Sequence, residues 1–194
     1  NITLIDHDSV ALSNLNRQTL FTEKDIGKSK CMVLSRRIKS INESIELCHY
    51  QKKITNRNIN QYLGKPSIIL DCTDNFESRF IINKFCHSEK KILISAALQN
   101  FDIQAFIFSS WSDNTNPCYK CIFPNLKNDA NLSCDDMGIV ASVAGLGGLI
   151  QANLALNHIL KLRNNFKEFI LFDCINFDIK KIVVSKNKNC QECN

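Results

Sequence analysis

The stretch SIILDCTDNFESRF, residues 67–80, predicts the fold class of this 194-residue chain. It opens with a continuous apolar run of the kind buried on both faces of a parallel sheet. The segment FESRFIINKFCHSEKK at 76–91 then has the spacing of a helix, and ILISAAL at 92–98 is a second apolar run. A strand, a helix and a strand in this order predict a βαβ unit.

The segments before this unit continue the alternation. NITLIDHD at 1–8 and IELCHYQKKI at 45–54 have the character of strands, and KSKCMVLSRRIKSINES at 28–44 has helical spacing. We therefore expect an α/β fold with a Rossmann-like, doubly wound and mostly parallel sheet.

The pattern changes after Asp102. DIQAFIFSSW at 102–111, FILFDCINFD at 169–178 and KKIVVSK at 180–186 have the composition of strands that pair antiparallel, and a long helix is predicted at 138–162. The motif AGLGGL at 144–149 is similar to a dinucleotide fingerprint, but it follows a helix-like segment and no acid follows at the right distance. Close helix packing is the expected role of its three glycines, Gly145, Gly147 and Gly148.

Composition predicts one soluble domain over residues 1–194. No Pro-rich, Gly/Ser-rich or single-sign charged block marks a linker. The net charge of +5 comes from lysines scattered among acids, without the basic stripe that nucleic acid requires. The most apolar run, at 138–150, is shorter than the ~18 residues that span a bilayer. We expect neither nucleic acid nor a membrane as a partner.

Six of the ten cysteines are dispersed singly, and a domain with its own core has little need of disulfides. We therefore expect a cytoplasmic protein. The other four form two CxxC pairs, Cys118 with Cys121 and Cys190 with Cys193. One such pair is ambiguous between redox chemistry and metal binding, whereas four thiolates fit a closed tetrahedral zinc site. A redox pair usually opens a helix after a strand, but CYKC follows the turn-forming segment DNTNP at 113–117. The pattern favours a structural zinc that fastens the C-terminal tail.

Acids follow two of the predicted strands, where open α/β sheets bind ligands. Asp6 follows the first strand, and Asp71 and Asp74 follow SIIL. Such an acid commonly binds ribose hydroxyls, although a single strand-end Asp is as readily a helix cap or a turn former.

Asn14, Arg17 and Lys30 come shortly after the first of these acids. A planar guanidinium and a mobile ammonium suit the oxygens of a polyphosphate. Most surface Arg and Lys side chains are simply solvated, so these cations alone do not establish a site.

Six motifs together make the chain resemble the ThiF/MoeB/HesA family, the bacterial relatives of ubiquitin-activating enzymes. Their order and approximate spacing are those of the family, from the first residue to the last. The motifs are DHDSVALSNLNRQTLF, GKSK, DCTDNFESRFIIN, CYKCIFP, LSCDDMGIV and CQEC.

The resemblance implies an ATP site with magnesium. Asp6 resembles the family's ribose-binding acid, and Asp74 resembles the acid that holds Mg²⁺ and is required for adenylation. The implied ATP-binding set also contains Asn14, Arg17, Lys30 and Asn75.

The resemblance also assigns the cysteines. The four CxxC cysteines match the family's zinc ligands, and Cys134 matches the cysteine that forms a covalent sulfur linkage in some members. Two acids follow Cys134 and would raise its pKa, while the start of the long helix would lower it. A buried structural thiol is the open alternative. The implied catalytic residues are Arg17, Asp74 and Cys134.

The implied activity is ATP-dependent adenylylation of a small ubiquitin-like sulfur carrier ending in Gly-Gly, in thiamine or molybdopterin biosynthesis. The segments LFTEKDI and CYKCIFP favour the thiamine branch. Further implied partners are a sulfur donor, such as a cysteine desulfurase or a rhodanese-like protein, and a second copy of the chain. The helix at 138–162 is the expected dimer interface.

The chain begins with Asn1, and the family's glycine-rich ATP loop lies ahead of that residue. We expect residues 1–194 to form a single ThiF-type domain that lacks its first strand, glycine-rich loop and first helix, and to bind ATP poorly alone. One alternative is therefore a zinc-bearing fragment without catalysis, acting as a binding module or a decaying gene product. Another is an NAD-dependent oxidoreductase, which would explain the sheet but not the cations and cysteines together.

Overall fold

The computed structural model describes residues 1–124, 138–162 and 165–194. Contacts group these residues into two units, 1–55 and 56–194, which are described in turn. The α/β class is confirmed, whereas the extent of the domain stays a prediction.

The first unit pairs two parallel strands with one helix. Strand β1 spans Ile2–Ile5, helix α1 spans Lys30–Ile41 and strand β2 spans Leu47–Tyr50. Ser29 caps α1, because its hydroxyl accepts a hydrogen bond from the backbone N–H of Met32. Between β1 and α1 the chain forms two short 3₁₀ turns around a small apolar core of Val10, Phe21 and Val33. The predicted strands and helix are confirmed within narrower bounds.

The second unit contains a five-stranded mixed sheet in the order β3-β4-β5-β6-β7. Strands β3 and β4 are parallel, and the later neighbours pair antiparallel, as predicted. The strands are β3 (Ile68–Asp71), β4 (Ile92–Gln99), β5 (Asp102–Phe108), β6 (Glu168–Asp173) and β7 (Asp178–Val183). The described helices are α2 (Ile59–Leu63), α3 (Phe76–Ser88), α4 (Tyr119–Ile122) and α5 (Ala141–Ile159).

Helix α5 packs on β4 and β5. Ile92, Ile94 and Ile107 form a buried cluster with Ala155 of the helix. Gly147 allows this close approach, because a Cβ there would lie 2.6 Å from Leu98 Cδ2. Close packing was wrongly predicted for Gly145 and Gly148, whose added Cβ atoms would meet none of the described atoms within 4 Å.

Strand β3 has one buried face. Ile69 and Asp71 are buried, whereas Leu70 between them is 48% exposed. The expectation of burial on both faces is therefore wrong for β3, because the described residues leave Leu70 uncovered on the second face. Among the described residues, no helix combines the length and apolar character that crossing a bilayer requires.

Candidate functional site

Lys30 and Asp8 form the best-defined polar pair of the first unit. Lys30 begins α1, is 8% exposed, and places its Nζ 2.9 Å from Asp8 Oδ2. The Lys30 backbone N–H also donates to the Asp8 carbonyl. Burial raises the pKa of Asp8, but the hydrogen bond and charge of Lys30 outweigh it and hold that pKa below its usual value. The ammonium therefore has a fixed position and a carboxylate counter-ion.

The other predicted residues of the first unit have different surroundings. Asp6 directly follows β1 and accepts a hydrogen bond from the Asp8 backbone N–H at 2.9 Å. Asn14 is buried, and its Oδ1 accepts from the Ala11 backbone N–H at 3.1 Å. Arg17 is half-buried and donates to the Ser13 carbonyl and the Asn16 side chain. Asn14 thus stabilises its own turn, whereas Asp6 lies at the strand end where the sequence predicted it.

In the second unit, a tightly bonded loop follows β3. Asp71 is 1% exposed and accepts hydrogen bonds from the backbone N–H and hydroxyl of Thr73, at 3.0 and 2.7 Å. Its second oxygen accepts from the Ser95 hydroxyl at 3.3 Å. Of the two acids in DCTD, Asp71 is thus the turn former that the sequence left open.

Asp74 has the opposite environment. Its side chain is exposed, and its Oδ1 accepts a hydrogen bond of 3.2 Å from the Asn75 side-chain amide. Asn75 is the N-cap of α3, because its Oδ1 accepts from the Ser78 backbone N–H at 2.9 Å. The exposed carboxylate therefore stands on a fixed turn at a helix start, and its hard oxygens are the ligands that Mg²⁺ prefers.

Gln151 of α5 forms hydrogen bonds with the backbones of both β3 and β4, a role that the sequence analysis missed. Its side chain is 4% exposed, and Nε2 donates to the carbonyls of Asp71 and Ile94, each at 2.9 Å. Its Oε1 accepts a hydrogen bond from the Cys72 thiol at 3.2 Å. The available signal was a glutamine directly after the longest apolar run of the helix, at 143–150.

Substituting Gln151→Leu is expected to destabilise the protein by roughly 1–3 kcal/mol, because it removes the donor of two buried carbonyls. Urea unfolding measures this change. Asn153→Leu is the matched control, because Asn153 is exposed on the same helix and its replacement should leave stability nearly unchanged. Equal unfolding midpoints for the two variants would contradict the role of Gln151.

The four CxxC cysteines come together as one cluster. Cys118 Sγ lies 3.8 Å from Cys121 Sγ and 3.6 Å from Cys190 Sγ, and Cys121 Sγ lies 3.5 Å from Cys193 Sγ. All four sulfurs lie within 4.8 Å of one another, and all four cysteines are free. Sulfurs ~2.3 Å from a tetrahedral zinc are about 3.8 Å apart, so the spacing fits a metal ion.

The ionisation of the thiols shows why a cation suits this cluster. A hydrogen bond from Cys118 lowers the pKa of Cys121 to about 4, and burial raises the pKa of Cys193 to about 12. The hydrogen bond to Cys121, together with burial, also raises the pKa of Cys118. One thiolate is thus stabilised at the expense of its neighbours, and four thiolates need a positive charge between them.

The local structure around Cys118 differs from the expectation in one respect. Cys118 is the N-cap of the four-residue helix α4, a position that the sequence argument associated with redox pairs. The position at the start of a helix therefore does not distinguish redox chemistry from metal binding at this CxxC pair. The second CxxC pair lies against the first, and this arrangement favours metal binding, because a redox pair needs only two sulfurs. Cys134 lies outside the described residues.

The comparisons with known proteins agree with this architecture. A crystal structure of Escherichia coli MccB superposes with a TM-score of 0.83 at 21% sequence identity, covering 100% of this chain and 58% of that one. This likeness defines the fold as that of MccB.

The sequence pattern of the ThiF family matches residues 1–193. The chain therefore belongs to the ThiF family. The Sulfur carrier protein ThiS adenylyltransferase of Escherichia coli is 30% identical over 99% of this chain, which spans 75% of that relative. A Probable molybdopterin-synthase adenylyltransferase of Gracilaria tenuistipitata is 31% identical over 95% of this chain, which spans about half of that relative, 51%.

Proposed function

We propose that this chain, an adenylyltransferase by family, transfers AMP from ATP to the C-terminal glycine of a ubiquitin-like sulfur carrier. The observation that carries the proposal is the family match over residues 1–193, together with adenylyltransferases as relatives along nearly the whole chain. The fixed turn that presents Asp74 in the second unit supports it independently.

The reaction joins two anions. The glycine carboxylate attacks the α-phosphorus of ATP, a bond to that phosphorus forms, and pyrophosphate leaves with the electron pair of the broken bond. The carboxylate is already ionised, so no general base is required. The protein's main tasks are to neutralise charge and to align the reactants.

The first unit supplies positive charge and the proposed ribose acid. Lys30, Arg17 and Asn14 are assigned to the ATP phosphates and Asp6 to the ribose hydroxyls. Asn14 also bonds within the turn that carries Arg17. Lys30 is held 2.9 Å from Asp8, so a phosphate oxygen would replace or share that counter-ion. Its fixed position reduces the entropy lost when the nucleotide binds.

The second unit supplies the metal-binding groups. Asp74 would hold Mg²⁺, with Asn75 fixing one oxygen of its carboxylate. The ion would neutralise charge that develops on the phosphate oxygens. The cysteine cluster would hold a structural zinc, on the fit of its sulfur spacings to a tetrahedral site. We place the protein in the cytoplasm, because its described cysteines are free, as is usual in a reducing compartment.

The partners follow from the same proposal. A sulfur donor would act on the acyl-adenylate product, with Cys134 as the candidate for a covalent sulfur linkage. A second copy of the chain would contact the exposed face of α5, where Leu149, Leu156 and Ile159 are each more than half exposed. We assign residues 1–194 to one ThiF-type domain.

ATP–pyrophosphate exchange tests the proposed activity. Radiolabel from pyrophosphate is expected to enter ATP only when a carrier ending in Gly-Gly is added. Removal of the terminal glycine should abolish exchange, because the nucleophile is then displaced by one residue. The ThiS-type carrier is expected to give faster exchange than the carrier of molybdopterin synthesis.

The assay uses the intact protein as the cell makes it. An equal rate of ATP–pyrophosphate exchange with and without the carrier's terminal glycine would contradict the proposed substrate. Absence of exchange with both carriers in the full-length protein would instead support the alternative of a binding module without catalysis.

A further inference from the structure

Two buried polar residues lie one turn apart on α3. Arg79 is 7% exposed and Asn83 is 2% exposed, although most polar side chains of helices face water. Burying a guanidinium or an amide is costly unless its hydrogen bonds are made within the protein. Arg79 Nη1 and Asn83 Nδ2 have no hydrogen-bond partner among the described residues, whereas Arg79 Nη2 and Asn83 Oδ1 each have one. These two bonded partners indicate what the residues stabilise.

Arg79 holds the loop that carries Asp74. Its Nη2 donates a hydrogen bond to the carbonyl of Thr73, the residue directly before Asp74. The Thr73 backbone N–H is bonded at the same time to Asp71. Both backbone polar groups of Thr73 are thus held, the carbonyl by a guanidinium donor and the N–H by a carboxylate acceptor.

Asn83 holds the first cysteine pair. Its Oδ1 accepts a hydrogen bond of 2.8 Å from the backbone N–H of Tyr119, the residue directly after Cys118. The Tyr119 ring is buried, with its centroid 6.0 Å from the guanidinium carbon of Arg79 and 5.7 Å from the Phe80 ring. The segment between Cys118 and Cys121 is therefore fastened to α3 by one hydrogen bond and by ring contacts.

A cavity lies beside these residues, but it is too small to be the binding site of a substrate. It is lined by Arg79, Ser95, Gln104 and Tyr119 among others, and its volume is about 10 Å³. That space holds about one water molecule, and a nucleotide or peptide group does not fit. Arg79 is consequently a positioning residue, since its guanidinium has no room to receive a substrate there.

We propose that Arg79 and Asn83 make α3 a rigid link through which metal bound by the cysteine cluster orders the loop of Asp74. Metal loss would loosen the segment of Tyr119, and with it the ring against which Arg79 packs. The hydrogen bond from Arg79 to Thr73 would then weaken, and Asp74 would lose its fixed position. This inference rests on the proposed function for its catalytic meaning, but the link itself is a structural property.

Amide hydrogen exchange measured by NMR tests the link without catalysis. The Thr73 N–H reports the loop, and the Cys121 N–H, which donates to the Cys118 carbonyl at 3.0 Å, reports the cluster. Removing zinc with a chelator is expected to accelerate exchange at both amides. At Thr73 the acceleration should be about fivefold, the effect of one lost hydrogen bond.

Asn83→Ala is expected to break the link. In that variant zinc removal should accelerate exchange at Cys121 only, and Thr73 should exchange at one rate with and without metal. Lys84→Ala is the matched control, because Lys84 is exposed on the same helix and its replacement should preserve the response. Arg79→Lys, which keeps the charge but loses the planar donor, should also remove the response at Thr73.

The outcomes separate this inference from the proposed function. The link would be overturned if zinc removal from the wild type accelerated amide exchange at Cys121 but left the rate at Thr73 unchanged. It would also be overturned if the protein bound no zinc. An intact response at Thr73 in a full-length protein without carrier-dependent exchange would overturn the proposed function alone. If the link and the proposed function are both correct, Arg79→Lys should raise the Mg²⁺ concentration needed for half-maximal ATP–pyrophosphate exchange roughly tenfold.

Discussion

Asp74→Ala in the full-length protein is expected to lower carrier-dependent ATP–pyrophosphate exchange roughly 100- to 1,000-fold, the range found when one group that stabilises transition-state charge is removed. The variant should fold normally, since the Asp74 side chain is exposed and its hydrogen bond from Asn75 lies at the surface, where such a bond contributes little to stability. Initial exchange rates at saturating ATP and magnesium measure the effect, and thermal unfolding verifies the fold.

Two further variants make this result specific. Asp74→Asn keeps the shape of the side chain but removes its charge, and its rate should fall similarly if the carboxylate binds Mg²⁺. Asp178→Ala removes an exposed acid from β7 and should leave the rate unchanged. Full exchange activity in Asp74→Asn would show that hydrogen bonding, and not metal binding, is what the position supplies.

The two acids of DCTD show what a sequence can and cannot predict about a site. Both follow the same strand, and both were candidates for a ligand role. Asp71 belongs to the buried face of β3 and accepts hydrogen bonds from Thr73 and Ser95, whereas Asp74 lies on the exposed turn beyond it. The difference comes from the alternation of side chains along the strand and from Ser95, 24 residues away.

Local patterns predicted the parts of the molecule that local interactions determine. The strand β4 and the helix α3 follow from apolar spacing. The cysteine cluster was predictable as well, because two CxxC pairs leave few alternatives for four thiols.

Long-range pairs were missed for the opposite reason. Lys30 bonds Asp8 across 22 positions, and Gln151 bonds Asp71 across 80. Neither pair has a local signature, because each depends on how separate elements pack. The packing of the three glycines in AGLGGL also depends on separate elements and could not be predicted locally. Among the described atoms, only at Gly147 would an added Cβ lie within 4 Å of a side chain of another element.

The cysteine cluster provides the second large effect. Cys190→Ser is expected to reduce the zinc content from one ion per chain to about zero, because a serine hydroxyl is a poor substitute for a thiolate ligand. The C-terminal segment should then separate from the first cysteine pair. Three sulfurs would remain close together without a cation. Burial raises the pKa of Cys193 and keeps that thiol protonated, whereas Cys121, whose pKa is lowered to about 4, would be a thiolate without a counter-ion.

Metal analysis of purified protein measures the zinc content, and limited proteolysis followed by mass spectrometry reports release of the tail near Cys190. Cys174→Ser is the matched control, because Cys174 belongs to the same unit but lies outside the cluster. It should retain zinc and resist proteolysis like the wild type. Cys190→Ser with a full complement of zinc would remove Cys190 from the ligand set. A zinc-free variant with a protected tail would instead show that packing around the buried cysteines, and not the metal, fastens the C-terminal segment. The metal would then have no structural purpose that the fold does not already serve.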